Sequence, residues 1–149
     1  MLSIIEKVIF LQNVDVFAEI PSEQLSHLAA IAEELSFAKD EDIYKIDEPS
    51  DALYVVLEGK VRLHREGDEI TTASASDPFG TWALFDDTAR VATATAVEDA
   101  RLLCIDREDF LDLLSDHVQI TEGVLKTLVS RLRGLLDRVG TDLGPRSSG

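Results

Sequence analysis

LYVVLEGKVRLHREGDEI, residues 53–70, decides the architecture. Leu53 to Leu57 form an unbroken apolar run, the pattern of a buried strand, and the run stops at Glu58-Gly59. Val61-Arg62-Leu63 then alternates. Glu66-Gly67-Asp68 has the chemistry of a hairpin tip, leading back through Ile70. The same rhythm extends to both sides. Upstream, Ile43 to Ile46 ends at the turn cluster Asp47-Glu48-Pro49-Ser50-Asp51. Downstream, Val91 to Val97 alternates with Ala92, Ala94 and Ala96 on one side, and Leu102 to Ile105 is a further strand. Many short strands at regular spacing predict a sandwich or barrel such as a jelly roll.

Helical patterns flank the strands, so the fold class is mainly β with flanking helices. Ser3 and Glu6 make a capping-box pattern before Val8 and Ile9. Pro21-Ser22-Glu23-Gln24 opens a second helix whose apolar face is Leu25, Leu28, Ala29, Ala32 and Leu35; the strand rhythm begins at Phe37. After the strands, Asp106 is an N-cap with Asp109 three residues on and Phe110, Leu111, Leu113 and Leu114 behind it. A last helix spans about Val118 to Val139, with Val118, Leu125, Leu128, Leu132, Leu135 and Val139 on alternating three- and four-residue steps, interrupted at Thr121. That is a heptad seam. Two readings are open: a parallel dimer helix through Leu125, Leu128, Leu132, Leu135 and Val139, or a helix packed on its own domain. Val124, Val129 and Leu136 widen the stripe, and so broad an apolar face needs more than one neighbour, which favours the homodimer. Gly123 and Gly134 lower the helix propensity. The folded unit is expected over 1–140 and a disordered tail over 141–149.

At 149 residues the chain is long enough for one full core. Apolar residues are 45% and charged residues 29%, ordinary values for a globular protein. The net charge of −15 repels nucleic acid and anionic membrane. The basic residues Lys126, Arg131, Arg133 and Arg138 read as solvated helix charges, and the chain ends soon after the last helix without room for a helix-turn-helix. No nucleic-acid partner is expected. Cys104 is the only cysteine, so no internal disulfide forms; in Leu102-Leu103-Cys104-Ile105 it reads as a small buried hydrophobe. No apolar run reaches membrane-spanning length and MLSIIEKVIFLQ is not a secretory signal, so a cytoplasmic setting is the default. His27, His64 and His117 lack partners at metal-ligand spacing, His27 on the polar side of its helix and His64 on a solvent-facing strand. No catalytic or metal site is expected, and the chain does not read as an enzyme.

The chemistry lies in FGTWALFDDTAR, residues 79–90. Gly80 lets the backbone approach a ligand closely. If Thr81 to Phe85 form one helical turn, its first N–H groups face outward and favour an anion. Arg90, at the start of the next strand, offers a bidentate guanidinium to a phosphate. Asp86 and Asp87 lie between them, and a carboxylate facing the cradle would repel a phosphate and neutralise Arg90. Trp82 either stacks on a base or fills the core and contacts the closing helix, the second being favoured.

Phe17-Ala18-Glu19-Ile20-Pro21, Leu53 to Val61, Asp77-Pro78-Phe79-Gly80, Ala83-Leu84, Arg90, Ala92-Thr93 and Asp106 to Phe110 together resemble the cyclic-nucleotide-binding domain of catabolite-activator-type regulators and kinase regulatory subunits. The likeness runs from about residue 10 to 139. It implies an antiparallel double-stranded β-helix with N-terminal helices and two C-terminal closing helices. It also implies a regulatory small-ligand module that binds cyclic AMP or cyclic GMP through Phe79, Gly80, Thr81, Trp82 and Ala83 on one side and Arg90 and Val91 on the other. In the family a glutamate after the loop glycine accepts the ribose hydroxyl; Thr81 stands there. Hydrogen bonds to charged groups contribute about 1.5–3 kcal/mol against about 0.5–1.5 for neutral ones, so ribose binding weakens about tenfold. Val91 replaces a small, often hydroxyl-bearing residue. Asp40 and Asp47 replace two turn glycines. The partly degenerate cassette points to weak or lost nucleotide binding, or to another small anion. The alternative is a ligand-free dimerisation scaffold. Ile5 to Leu11 resembles, loosely, versions joined to membrane-transporter-like or helical-repeat proteins, so the output domain is expected elsewhere in a parent protein.

Overall fold

The computed structural model describes residues 1–142. Eight strands make up the centre: β1 (Glu33–Phe37), β2 (Asp42–Tyr44), β3 (Ala52–Glu58), β4 (Val61–Arg65), β5 (Asp68–Ala73), β6 (Pro78–Phe79), β7 (Thr93–Ala96) and β8 (Ala100–Asp106). They form two four-stranded sheets, β1-β8-β3-β6 and β2-β7-β4-β5, with every pair antiparallel. This is the expected jelly roll. The unbroken apolar run of β3 follows from its position, because both of its faces are covered. Leu53, Val55 and Leu57 face the helices, packing with Leu28, Leu103 and Phe110. Ala52, Tyr54 and Val56 face into the roll, with Val61, Phe79, Ala94 and Leu102.

Turn chemistry sets the hairpins. Glu66 and Gly67 both have positive φ (52° and 85°), as a two-residue type I′ turn between β4 and β5 requires. Asp40 and Asp47, at turn positions where the resemblance leads one to expect glycine, also sit in the left-handed region, at φ 71° and 73°. Asp is among the residues that tolerate it.

Four helices enclose one side of the roll: α1 (Ile4–Leu11), α2 (Ser22–Ile31), α3 (Arg107–Asp116) and α4 (Val118–Asp142). The Ser3–Glu6 capping box is formed at α1, and the Asp106 carboxylate accepts from the N–H groups of Glu108 and Asp109 at α3. Two expectations fail at element ends. Leu35 is not on the second helix, which stops at Ile31; it is on β1, opposite Leu102 of β8. The free edge of β8 captures the segment, overriding its helical spacing. The strand expected over 91–97 is formed only at 93–96. The backbone of Arg90 is clipped to the preceding turn, its N–H donating to Glu48 O and its C=O accepting from Asp47 N–H, both at 2.8 Å. Arg90 therefore precedes the ladder instead of starting the strand. Of the tail expected over 141–149, residues 141–142 continue α4 and 143–149 lie outside the described residues.

Cys104 is half-buried rather than enclosed, and burial pushes its thiol up to about 12. His27 and His117, far apart in sequence, stack with ring centroids 4.0 Å apart, joining α2 to the α3–α4 junction. His64 is paired with the Thr95 hydroxyl at 2.8 Å.

The first half of α4 is tied to the domain through Ile120 and Val124, which enter the core. Gly123 is the point of closest approach: a Cβ there would stand 2.8 Å from Ile20 Cγ1 and 3.0 Å from Glu19 O. Gly123→Ala is expected to cost about 1–2 kcal/mol in a denaturant titration, overpacking outweighing alanine's helix propensity gain of about 1 kcal/mol. An unchanged or raised midpoint would contradict that contact. Further along, Leu125, Val129, Leu132, Leu136 and Val139 are all about half exposed. Their spacing is four, three, four and three residues. Leu128 of the expected seam instead packs against the core, so the unpartnered stripe runs through Val129 and Leu136, with Leu135 beside it.

Candidate functional site

The loop after β6 has the local geometry its sequence calls for. Gly80 is left-handed (φ 74°, ψ 21°) and caps a single 3-10 turn, Thr81–Leu84. Within the turn Ala83 N–H donates to Gly80 O at 3.1 Å. The amides of Thr81 and Trp82 have no acceptor in the chain among the described residues. Ala83 is buried and Val91 exposed.

Facing this turn, Arg90 is 6% exposed. Its Nη2 donates to Ala52 O at 2.9 Å, and its Cζ lies 3.9 Å from the centroid of the Tyr44 ring. Gly80 permits this: a Cβ at residue 80 would stand 2.7 Å from Arg90 Nη1. Behind them, Tyr44, Tyr54 and Phe79 form an aromatic wall. Burial pushes the Tyr44 phenol above its ordinary range, the Arg90 charge opposing, so Tyr44 stays neutral beneath the guanidinium. The charge of Arg90 is poorly compensated. Its nearest carboxylate, Asp51, is 3.9 Å away with an exposed side chain. Its buried Nε has no partner. Buried charges are normally paired and hydrogen-bonded, so the guanidinium keeps unused capacity for an anion.

Between Arg90 and the loop lies a cavity of about 400 Å³, bordered by Tyr44, Gly80, Thr81, Trp82, Arg90 and Val91. Small-molecule sites span roughly 300–1,000 Å³. Phe79, by contrast, stands in the wall behind, inside the roll.

One of the two acids faces the cavity, as the sequence allows, without pairing with Arg90. Asp86 borders the cavity, but its carboxylate accepts from Thr88 N–H at 2.9 Å. That bond holds its carboxyl below the usual range. Neither Asp86 nor Asp87 forms an ion pair with Arg90; Asp51 comes nearest. Trp82 does not fill the core. It is 63% exposed and shares a groove with Arg131, Gly134, Leu135 and Arg138 of α4.

Residues of the site that were not picked out from sequence include Tyr44, Asp51 and Arg107. The first two belong to segments read only as a strand and a turn. Arg107 is the first residue of α3, and its Nη1 donates to Ser50 O (2.7 Å), Ala83 O (3.1 Å) and Asp86 O (2.8 Å). It ties the 80–86 loop and the β2–β3 turn to the closing helices. An arginine directly after an N-cap carries no sequence signal for that role.

A family model, described as the cyclic nucleotide-binding domain, matches residues 34–117. A CRP-like cAMP-activated global transcriptional regulator of Mycobacterium tuberculosis is 30% identical over 133 residues, covering 81% of this chain and 59% of that protein. The cyclic AMP receptor protein of Thermus thermophilus is 41% identical over 87 residues, covering 55% of this chain and 40% of its own. The chain thus matches only 40–59% of the length of these relatives. Among solved structures, the N-terminal domain of a transcriptional regulator from Streptomyces coelicolor superposes with a TM-score of 0.82 at 30% identity, covering 87% of this chain and 94% of that one.

Proposed function

The chain belongs to the cyclic nucleotide-binding domain family, and from that premise we propose that it is a regulatory module sensing a small anion at Arg90, with weakened affinity for cyclic nucleotides. The observation that carries this is the buried guanidinium with, among the described residues, an unpartnered Nε and no carboxylate closer than 3.9 Å. The amides of Thr81 and Trp82 complete the cradle. Thr81, in place of the family's glutamate, removes the charged acceptor for a ribose hydroxyl and so lowers nucleotide affinity. Calorimetric titration with cyclic AMP and cyclic GMP tests the reading. Heat that is Arg90-dependent and appears only at high ligand concentration is expected; silence at millimolar nucleotide removes the nucleotide claim.

Occupancy is relayed through Arg107. An anion that draws the 80–86 loop toward Arg90 pulls on the Ala83 and Asp86 carbonyls that Arg107 holds, and so on α3 and α4. This is a population shift between two settings of those helices. The output belongs to a further domain of a parent protein. No described helix is long and apolar enough to cross a membrane.

The exposed stripe of α4 is the homodimer surface in this reading. Five apolar side chains at heptad spacing, each about half exposed, match one strand of a two-stranded coiled coil. Leu132→Lys with Leu136→Lys is expected to convert a dimer to a monomer in sedimentation equilibrium with the circular dichroism spectrum retained. A wild-type chain that is monomeric at all concentrations sinks the dimer. The same stripe supports the second reading, a ligand-free scaffold, because Ala52 O and the Tyr44 ring already occupy part of the Arg90 surface. That reading expects no thermal shift with any nucleotide or small anion.

A further inference from the structure

Resting on the assignment of Arg90 as the anion-binding group, we infer that the cavity selects an anion with an apolar body, a hydrocarbon or aromatic carboxylate or phosphate ester, over a polyhydroxylated one. Among the described residues Arg90 is the one cationic side chain bordering the cavity, and the Asp86 carboxylate borders it too, which sets no more than one negative charge for the ligand. Most of the lining outward of it is apolar. Leu63, Ile70, Ala89, Val91 and Ala92 border the space, and Ile70, Trp82 and Val91 form an exposed apolar rim. Three of the polar side chains along the wall, Ser50, Asp86 and Thr88, are engaged by the chain itself. Ser50 Oγ donates to Thr88 O, and the Asp86 carboxylate is taken by the backbone and side chain of Thr88. Among the described residues that leaves the Thr81 and Tyr44 hydroxyls, the Trp82 indole N–H and the Thr81 and Trp82 amides as the uncommitted polar groups, all on the Arg90 side or at the opening.

A sugar bound here would press hydroxyls against Leu63, Ile70 and Val91, which offer them no partner. Each hydroxyl desolvated without a partner lowers affinity on the order of tenfold. A hydrocarbon chain gains instead: burying roughly two methylenes raises affinity about tenfold. Trp82 adds a large apolar face at the opening, beside the groove under α4. The size and lining fit a body of six to eight carbons or one to two fused rings in order of magnitude.

The test is calorimetric titration of the full chain with acetate, octanoate, inorganic phosphate and cyclic AMP, repeated on Arg90→Gln and on Ile70→Asn. Ile70 is half exposed on β5, so its replacement leaves the core alone. Octanoate is expected to bind at least about tenfold tighter than acetate and tighter than cyclic AMP. Ile70→Asn should erode the octanoate preference while leaving acetate and phosphate unchanged, and Arg90→Gln should weaken all anions. If acetate or phosphate binds through Arg90 and octanoate gains nothing, the apolar-body inference falls and the anion site stands. Cyclic AMP binding tighter than octanoate overturns it equally, as does octanoate binding that ignores Arg90→Gln. If no anion depends on Arg90, both the site and its selectivity fall together.

Discussion

Arg90→Met should abolish anion binding, a loss of at least about a hundredfold, while changing the stability of the unliganded domain by less than about 1 kcal/mol. The binding loss follows from removing the one cation at the cavity, since truncating one partner of a buried charge pair costs about 2–5 kcal/mol. The near-neutral stability follows from two opposing changes. Removing an incompletely paired buried charge is favourable, as replacements of buried ionic groups by apolar ones show. Leaving Ala52 O without the donor it has at 2.9 Å is unfavourable by about 1–3 kcal/mol. Titration calorimetry reads the first quantity and a denaturant titration the second. A variant that loses more than about 3 kcal/mol of stability would mark Arg90 as a structural group and remove the case for a ligand.

Phe110→Ala is the larger test of the fold. Phe110 is fully buried, with its ring 6.1 Å from Phe17 and edge-on to Phe85 at 6.0 Å. It fastens α3 to the N-terminal helices and to the residue that ends the 80–85 turn. Deleting a buried phenylalanine costs about 3–5 kcal/mol, a large share of the roughly 5–15 kcal/mol that holds a domain folded. The expected result is a strongly lowered denaturation midpoint and a disturbed 80–85 loop. A loss below about 1 kcal/mol would mean that α3 is not anchored as described. Phe110→Leu, which keeps most of the volume, should lose less than about 1.5 kcal/mol.

Local chemistry carried much of the fold. The hairpin at Glu66-Gly67, the N-caps at Ser3 and Asp106 and the buried run 53–57 each depend on neighbours within a few residues, and each was readable. What failed depends on distant partners. Leu35 has helical spacing, yet β8, far along the chain, recruits it. The spacing puts Leu128 on the seam and Val129 at its side, yet the packing of α4 on the domain turns Leu128 inward and leaves Val129 exposed. The site divides in the same way. Gly80, the turn after it and Arg90 were legible because the loop is contiguous. Tyr44, Asp51 and Arg107 were not, because strand pairing and helix docking bring them in from other segments. Asp86 borders the cavity as its place between Gly80 and Arg90 suggests, but nearness in sequence says nothing of whether a carboxylate is already bonded to its own backbone.

Were α4 to swing on the domain, its closest approach at Gly123 would be the pivot, and the packing of Leu128 and the Arg131–Asp15 ion pair would have to yield. From there the helix runs to Asp142, about 28 Å of rod, with side chains that leave the domain surface along the way. A tilt of about 10° at the pivot sweeps the far end through about 5 Å, roughly one helical pitch. A displacement too small to disturb the jelly roll thus becomes, at the tip of this arm, large enough to change the register of whatever lies against it.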